Sequence, residues 1–301
     1  IRLENEVKKI PLMGVMSAFV FATQMINFTI PGTGSSGHFS GALLLSILLG
    51  PYAGFLSMIS VLVVQCLLFA DGGILALGSN VWNMAFYACF VGYLCIYRPM
   101  VKKNMSNGKI ILASVFASVI SLQLGAFSVT LQTLISGITE LSFGHFVAMM
   151  QPIHFAIGIV EGFITAAVVI FVKNTRPELL QIETSKNRVG FKQIIIILSA
   201  IVLLIAGGLS LVASSNPDGL EWSIQNVTGS TEVETYSKNA DAVDGAAQIQ
   251  EKTAILPDYA FSGSDSALGT TFSGVFGSVV VAIISIGCCI IFKLFKKRDV
   301  T

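Results

Sequence analysis

Apolar runs separated by short polar joints fill most of the chain. Seven of them come close to or exceed the roughly 20 residues that cross a hydrocarbon core of about 30 Å as a helix: residues 10–29, 52–70, 81–97, 110–136, 146–172, 194–213 and 271–292. An eighth run, residues 39–49, is too short to cross as a straight helix. It serves as a half-span if the glycine-rich loop ahead of it completes the crossing, because irregular backbone is tolerated at membrane depth where it lines a polar cavity. The pattern predicts an all-α polytopic membrane protein, a helical bundle of about six membrane segments followed by a two-span C-terminal module.

Composition agrees with that reading. The chain has 301 residues, of which 53% are hydrophobic and 12% charged, and its mean hydropathy is +0.78. A water-surrounded core cannot absorb so much apolar surface. Charge placement then orients the segments. With the short run counted as a crossing, the N-terminal residues, 98–109, 173–192 and the C-terminal tail share one face and hold all but two, Lys238 and Lys252, of the 18 Lys and Arg residues. That asymmetry is a positive-inside signal, and it makes both ends of this chain cytoplasmic. Net charge, +1, sums over two surfaces and says little about partners. Five cysteines all fall in apolar runs, where a thiol is a small packing group. No signal peptide is visible, and the sequence opens at Ile1, so processing or further upstream residues are expected.

Three parts follow: a membrane core over 1–172, a basic cytoplasmic linker over 173–192, and residues 193–301, whose two spans enclose an acidic outer stretch, 214–269. Its Ser, Gly, Thr and acidic content favours flexibility. The segments PDGLEW (217–222) and LPDYAF (256–261) are exceptions, with the turn residues and aromatics of an ordered module.

Polar residues inside apolar runs persist where they face protein or water. Ser114, Ser118, Ser121, Gly125, Ser128, Gln132 and Ser136 trace one helical stripe, read as close packing or as a pore lining. Gly14, Ala18 and Ala22 form a small-residue face, which suits either internal packing or docking of a partner. His38 sits in GTGSSGHFSGA (32–42), among glycines and hydroxyls. Imidazole suits Ni²⁺, Co²⁺ or Zn²⁺, although this segment by itself reads first as a solvated loop histidine. His154, Gly158 and Glu161 share a helical face; His145 falls in an outer loop, and Asn80, Asn83 and Asp71 lie on the same outer side. They form either a binding cluster or ordinary caps.

The runs IPGTGSSGHFSGALLLSILLGPYAGFLSM (30–58), LVVQCLLFADGGILALGSNVWNMAF (62–86) and PIHFAIGIVEGFITA (152–166) closely resemble the CbiM/NikM family, the cobalt/nickel substrate-capture components of energy-coupling-factor transporters. PDGLEW and LPDYAF resemble the PDGLE, or NikN-like, companion, here fused to the same chain, an arrangement more typical of the nickel branch. The resemblance implies that His38 is a metal ligand. It also implies further ligands from an N-terminal Met-His upstream of Ile1 on an additional helix, giving four nitrogens that suit square-planar Ni²⁺. Asn80, Asn83, His154 and Glu161 become candidates for a supporting shell or pathway, and Gly14, Ala18 and Ala22 for scaffold docking. The implied cargo is Ni²⁺ or Co²⁺, and the implied partners are a scaffold transmembrane subunit, two cytoplasmic ATPase subunits and membrane lipid of a prokaryotic cell membrane, with no nucleic acid. No GxxxxGK[ST] phosphate loop occurs in the chain, so ATP chemistry would come from those partners. A passive cation channel along the serine stripe and an intramembrane metalloenzyme using His145, His154 and Glu161 are the alternatives.

Overall fold

Backbone N–H and C=O groups cannot stay unpaired in hydrocarbon, so long apolar runs fold as helices that satisfy themselves. The computed structural model of the chain describes residues 9–137, 141–180, 190–231, 240–261 and 266–298. In order, these form α1 (Lys9–Gln24), the short strands β1 (Phe28–Ile30) and β2 (Ser35–Gly37), α2 (Ala42–Leu49) and α3 (Pro51–Phe69). A continuous helix follows, built from α4 (Leu77–Asn80), a π-helical run (Val81–Tyr97) and α5 (Arg98–Val101). Then come α6 (Asn107–Ser136), α7 (Phe143–Thr175), α8 (Phe191–Gly207), α9 (Gly219–Thr228), α10 (Ala240–Thr253) and α11 (Ala267–Arg298). Among the described residues six helices are long and apolar enough to cross a membrane: Pro51–Phe69, Ile74–Val101, Asn107–Ser136, Phe143–Thr175, Phe191–Val212 and Ala267–Ile291.

The first apolar run departs from expectation. Instead of one span over 10–29, the helix stops at Gln24 and the chain enters a hairpin with Phe28 opposite Gly37, Thr29 opposite Ser36 and Ile30 opposite Ser35. Thr29 and Ile30 favour extended backbone, and Pro31-Gly32 then turns the chain, with Gly32 and Gly34 at φ of 79° and 74°. Residues 39–49 hold α2, eight residues long and buried from Ala42 through Leu48. A helix apolar on every face belongs inside a bundle. Gly41 admits the chain to it: its φ is 76°, and a Cβ there would lie 2.6 Å from a methyl of Val20.

Close backbone approach explains the small residues. Beneath Gly158 and Gly162 of α7 lies the backbone of α6, so near that a Cβ on Gly158 would fall 2.8 Å from the Val119 Cα; at Gly162 the Val115 Cα is closer still. The α6 stripe packs the other way, onto the π-helical run. Gly125 faces the Asn83 carbonyl, Ser128 Oγ lies 2.6 Å from the Tyr87 hydroxyl, and Ser121 fills the space over Gly92. Ser114 and Ser118 are fully buried. Packing accounts for the stripe from Ser114 to Ser128, while Ser136 is exposed and Ser121 and Gly125 also line a cavity.

Gly14, Ala18 and Ala22 also turn inward. Ala18 and Ala22 are buried, and a Cβ on Gly14 would fall 2.7 Å from the Ile286 side chain of α11. The scaffold-docking reading of this face is therefore corrected, because α11 covers it. The linker expected over 173–192 begins inside the last turn of α7, and its residues 181–189 lie outside the described residues. Much of the outer stretch is ordered: α9, α10 and a 3-10 turn at Pro257–Tyr259 dock on the bundle, against the flexibility its composition suggests.

Replacing Gly162 with Leu forces α6 and α7 apart. Thermal unfolding of the detergent-purified protein should show a loss of about 1–3 kcal/mol or more, in the range of overpacked cores.

Candidate metal site

His38 lies in a short link, Gly37 to Gly41, whose position is fixed at both ends. Gly37 rests on α7, where a Cβ would fall 2.5 Å from Ile157 Cγ1. Two residues beyond His38, the Ser40 amide donates to Glu161 Oε2 at 3.0 Å and the Ser40 hydroxyl donates to Glu161 Oε1 at 2.7 Å. Glu161 is completely buried. The Ser40 carbonyl in turn accepts from the Gln24 amide at 2.8 Å, and Phe39 is sealed in the core. Held this way, the half-buried His38 keeps its Nδ1 buried with no hydrogen-bond partner among the described residues.

Beside it opens a cavity of about 160 Å³ lined by His38, Ser40, Asn80, Asn83, His154 and Asp218, with Met84, Leu122, Met150 and Ile157 among its apolar walls. His154 has a defined tautomer. Its Nδ1 lies 2.8 Å from the Met150 carbonyl, which can only accept, so Nδ1 carries the proton and Nε2 keeps a lone pair, the arrangement in which a histidine binds metal. Asn83 is paired with Gln132 through bonds of 2.8 and 3.3 Å. The π-helical run carrying it brings Asn83, Met84 and Ala88 to the cavity together.

The structure thus gathers His38, Asn80, Asn83 and His154, four of the residues singled out from sequence, around one space. Glu161 supports the loop from below and is not among the lining residues. His145 stands apart: it occupies the first turn of α7 rather than a loop, is exposed, and bonds Ser142 Oγ at 3.1 Å. Among the described residues no group of three or more His, Cys, Asp and Glu side chains is placed to hold a metal ion. That removes the geometric basis of an enzyme built on His145, His154 and Glu161.

Sequence reasoning missed the lid. Asp218, Gly219 and Leu220 line the same cavity, at the start of α9. Asp218 is the N-cap, its carboxylate accepting from the Leu220 and Glu221 amides at 2.8 and 2.9 Å, while Glu221 accepts from the Asp218 amide at 3.2 Å. Burial, and then the charge of Asp218, raise the Glu221 carboxyl above its ordinary pKa. Gly219 comes so close that a Cβ would fall 3.1 Å from both His154 Cε1 and Ile157 Cδ1. The hairpin is clamped to the same segment: the Ser36 amide donates to the Pro217 carbonyl at 2.8 Å, and the Trp222 indole donates to the Thr33 carbonyl at 2.9 Å. The Asp-x-x-Glu spacing is a capping-box signature, and it was the available clue to this helix start.

The family profile described as "cobalt uptake substrate-specific transmembrane region" (CbiM) matches residues 1–179, and that of the PDGLE domain matches 192–294. The chain belongs to the CbiM family. Its relatives include a protein of Archaeoglobus fulgidus named as a fused nickel transport protein, NikMN, 37% identical over 90% of this chain and 82% of its own length. Another, from Lactiplantibacillus plantarum and named as the fused nickel transport protein LarMN, is 31% identical over 91% of this chain and 84% of its own. A cobalt transport protein CbiM of Sorangium cellulosum is 28% identical over 60% of this chain and 80% of its own. This CbiM-family chain is a multi-pass membrane protein of the cobalt/nickel transport type, and α9, which covers the cavity, is contributed by its PDGLE domain.

Substituting Asp218 with Ala removes the N-cap of α9, a change that costs about 1 kcal/mol. Amide hydrogen exchange should then rise in residues 219–228, whereas exchange in the middle of α3 should stay as it was.

Proposed function

We propose that this chain is the substrate-binding membrane subunit of an ATP-driven energy-coupling-factor importer for nickel, with cobalt as the alternative ion. The ion is captured at the outer face and delivered inward with the help of a scaffold transmembrane subunit and two cytoplasmic ATPase subunits. Residues 1–172 act as the capture core, 173–192 as a cytoplasmic linker, and 193–301 as the fused NikN-like module. Both ends of this chain face the cytoplasm of a prokaryotic cell.

One observation carries the reading: the His38 Nδ1 nitrogen, buried without a partner among the described residues at the wall of a cavity that His154, Asn80 and Asn83 also line. An unmet buried nitrogen costs about 1–3 kcal/mol, and a divalent cation bound in this space offsets that cost. Imidazole is a strong ligand for Ni²⁺ and Co²⁺. The fused relatives named for nickel transport cover both parts of this chain, which supports nickel over cobalt. In this scheme His38 supplies one donor and an upstream N-terminal Met-His supplies others. His154, Asn80 and Asn83 form the surrounding shell, and Glu161 keeps the loop in place. In this scheme binding and release are the whole chemistry of the subunit.

The test uses the natural full-length chain, purified in detergent and titrated with Ni²⁺ in equilibrium dialysis. It should bind about one ion, and His38→Ala should lose the site, weakening binding at least tenfold, about 1.4 kcal/mol. Wild-type affinity in that variant would refute the assignment. In cells that carry the partner subunits, deleting the ATPases should stop nickel uptake without changing binding by the isolated subunit. Uptake that persists without them would refute the ATP-driven part.

A further inference from the structure

The PDGLE domain touches the core at a second place, where LPDYAF forms its turn. The Leu256 amide donates to the Leu68 carbonyl at the end of α3 at 3.0 Å. Tyr259 stacks on Phe69, ring centroids 4.7 Å apart, and its hydroxyl donates to Asp71 Oδ2 at 2.5 Å. Asp258 and Tyr259 both hold left-handed backbone, φ 51° and 58°. Non-glycine residues adopt that conformation only under strain, so the turn persists because its surroundings fix it. Burial, and then the charge of Asp71, push the Tyr259 phenol well above its ordinary pKa, which keeps the hydroxyl a donor.

From this turn a chain of hydrogen bonds runs inward. The Asp71 amide donates to the Gln65 carbonyl at 3.1 Å. The Gln65 amide donates to Gln24 Oε1 at 2.7 Å, and the Gln24 amide donates to the Ser40 carbonyl at 2.8 Å. Ser40 is the residue that Glu161 grips. Gln24 and Gln65 are 7% and 6% exposed, inside a bundle where apolar side chains of similar size would pack without needing partners. Two buried amides stand in series there: Gln65 donates to Gln24, and Gln24 both accepts from Gln65 and donates to Ser40.

We infer that Gln65 and Gln24 are positioning residues that couple the Tyr259 turn of the PDGLE domain to the His38 loop, so that docking of this turn sets the loop in its cation-binding geometry. The inference rests on the reading of His38 as a ligand for a divalent transition cation. It assigns the fused domain a second action: α9 covers the cavity directly, and the 256–261 turn acts on the same loop from behind, through α3 and α1. Coupling between sites of this kind amounts to about 1–3 kcal/mol, or 5- to 150-fold in affinity.

A double-mutant cycle on the natural full-length chain tests it. Ni²⁺ dissociation constants by equilibrium dialysis, and the d–d absorption band of bound Ni²⁺, are measured for wild type, Gln65→Met, Tyr259→Phe and the double variant. Tyr259→Phe keeps the stacked ring and removes only the hydroxyl. Gln65→Met should weaken binding about tenfold and shift the band, Tyr259→Phe about fivefold. The double variant should bind no more weakly than Gln65→Met alone, because Tyr259 acts through Gln65; a merely structural loss at each site would instead multiply. Wild-type affinity in Gln65→Met, or independent multiplication of the two losses, would overturn the coupling. If Gln65→Met does not fold, Tyr259→Phe decides by itself: weaker binding with a shifted band supports the coupling, and an unchanged constant and band overturn it. His38→Ala serves as the separate arm. Loss of binding there with no effect from Gln65→Met sinks only the coupling, whereas wild-type binding by His38→Ala sinks the ligand assignment and the coupling with it.

Discussion

A carboxylate buried in a membrane bundle is costly unless its oxygens are satisfied, and Glu161 meets that condition with two donors from one residue, Ser40. Much of the outer half of the molecule follows from this pairing. Ser40 cannot move without exposing Glu161 to hydrocarbon unpaired, so the link carrying His38 is tied in register to α7. Seven residues earlier on that helix, and hence on the same face, stands His154. The distance between the two imidazoles is therefore set by helix geometry and one short loop, and glycines at 37 and 158 let backbone and helices approach closely enough for the arrangement to close.

The PDGLE sequence can be read as a set of local requirements. Pro217 offers its carbonyl to the hairpin amide of Ser36, Asp218 caps α9, and Gly219 fits where any side chain would meet His154 and Ile157. Leu220 contributes to the cavity wall, and Glu221 completes the reciprocal cap. Together they place a helix start, with its bound carboxylate, over a cavity that also holds two histidines.

Hydropathy made the membrane class and the long helices legible, since a stretch of 20 apolar residues has few alternatives. Residues 39–49 were legible as a segment but not as a helix, because an eight-residue helix draws its stability from burial rather than from length. The hairpin was hidden in the first apolar run: Phe28, Thr29 and Ile30 are as hydrophobic as helix residues, and only the Pro31-Gly32 pair marks the change. At the site, His38 and His154 were visible as histidines in unusual company, yet the residues that organise them were not. Gln24, Gln65 and Ser40 are ordinary in sequence, and their role exists only where helices far apart in the chain meet. The small-residue face of Gly14, Ala18 and Ala22 misled because spacing shows that something packs closely, without showing that the neighbour is the chain's own last helix.

The covering helix α9 hangs between α8 and α11, both of which lie against α1 in the same bundle. A cover fastened in this way meets its seat at the effective concentration of a tethered group, in the millimolar range for short connections. Any opening and closing of α9 would be unimolecular, indifferent to how many copies of the protein the membrane holds. A separate cover would instead have to be found by diffusion and expressed in matching amount. Fusion converts an assembly problem into a local equilibrium whose position depends on the contacts around Pro217 to Glu221 and on whatever occupies the space beneath them.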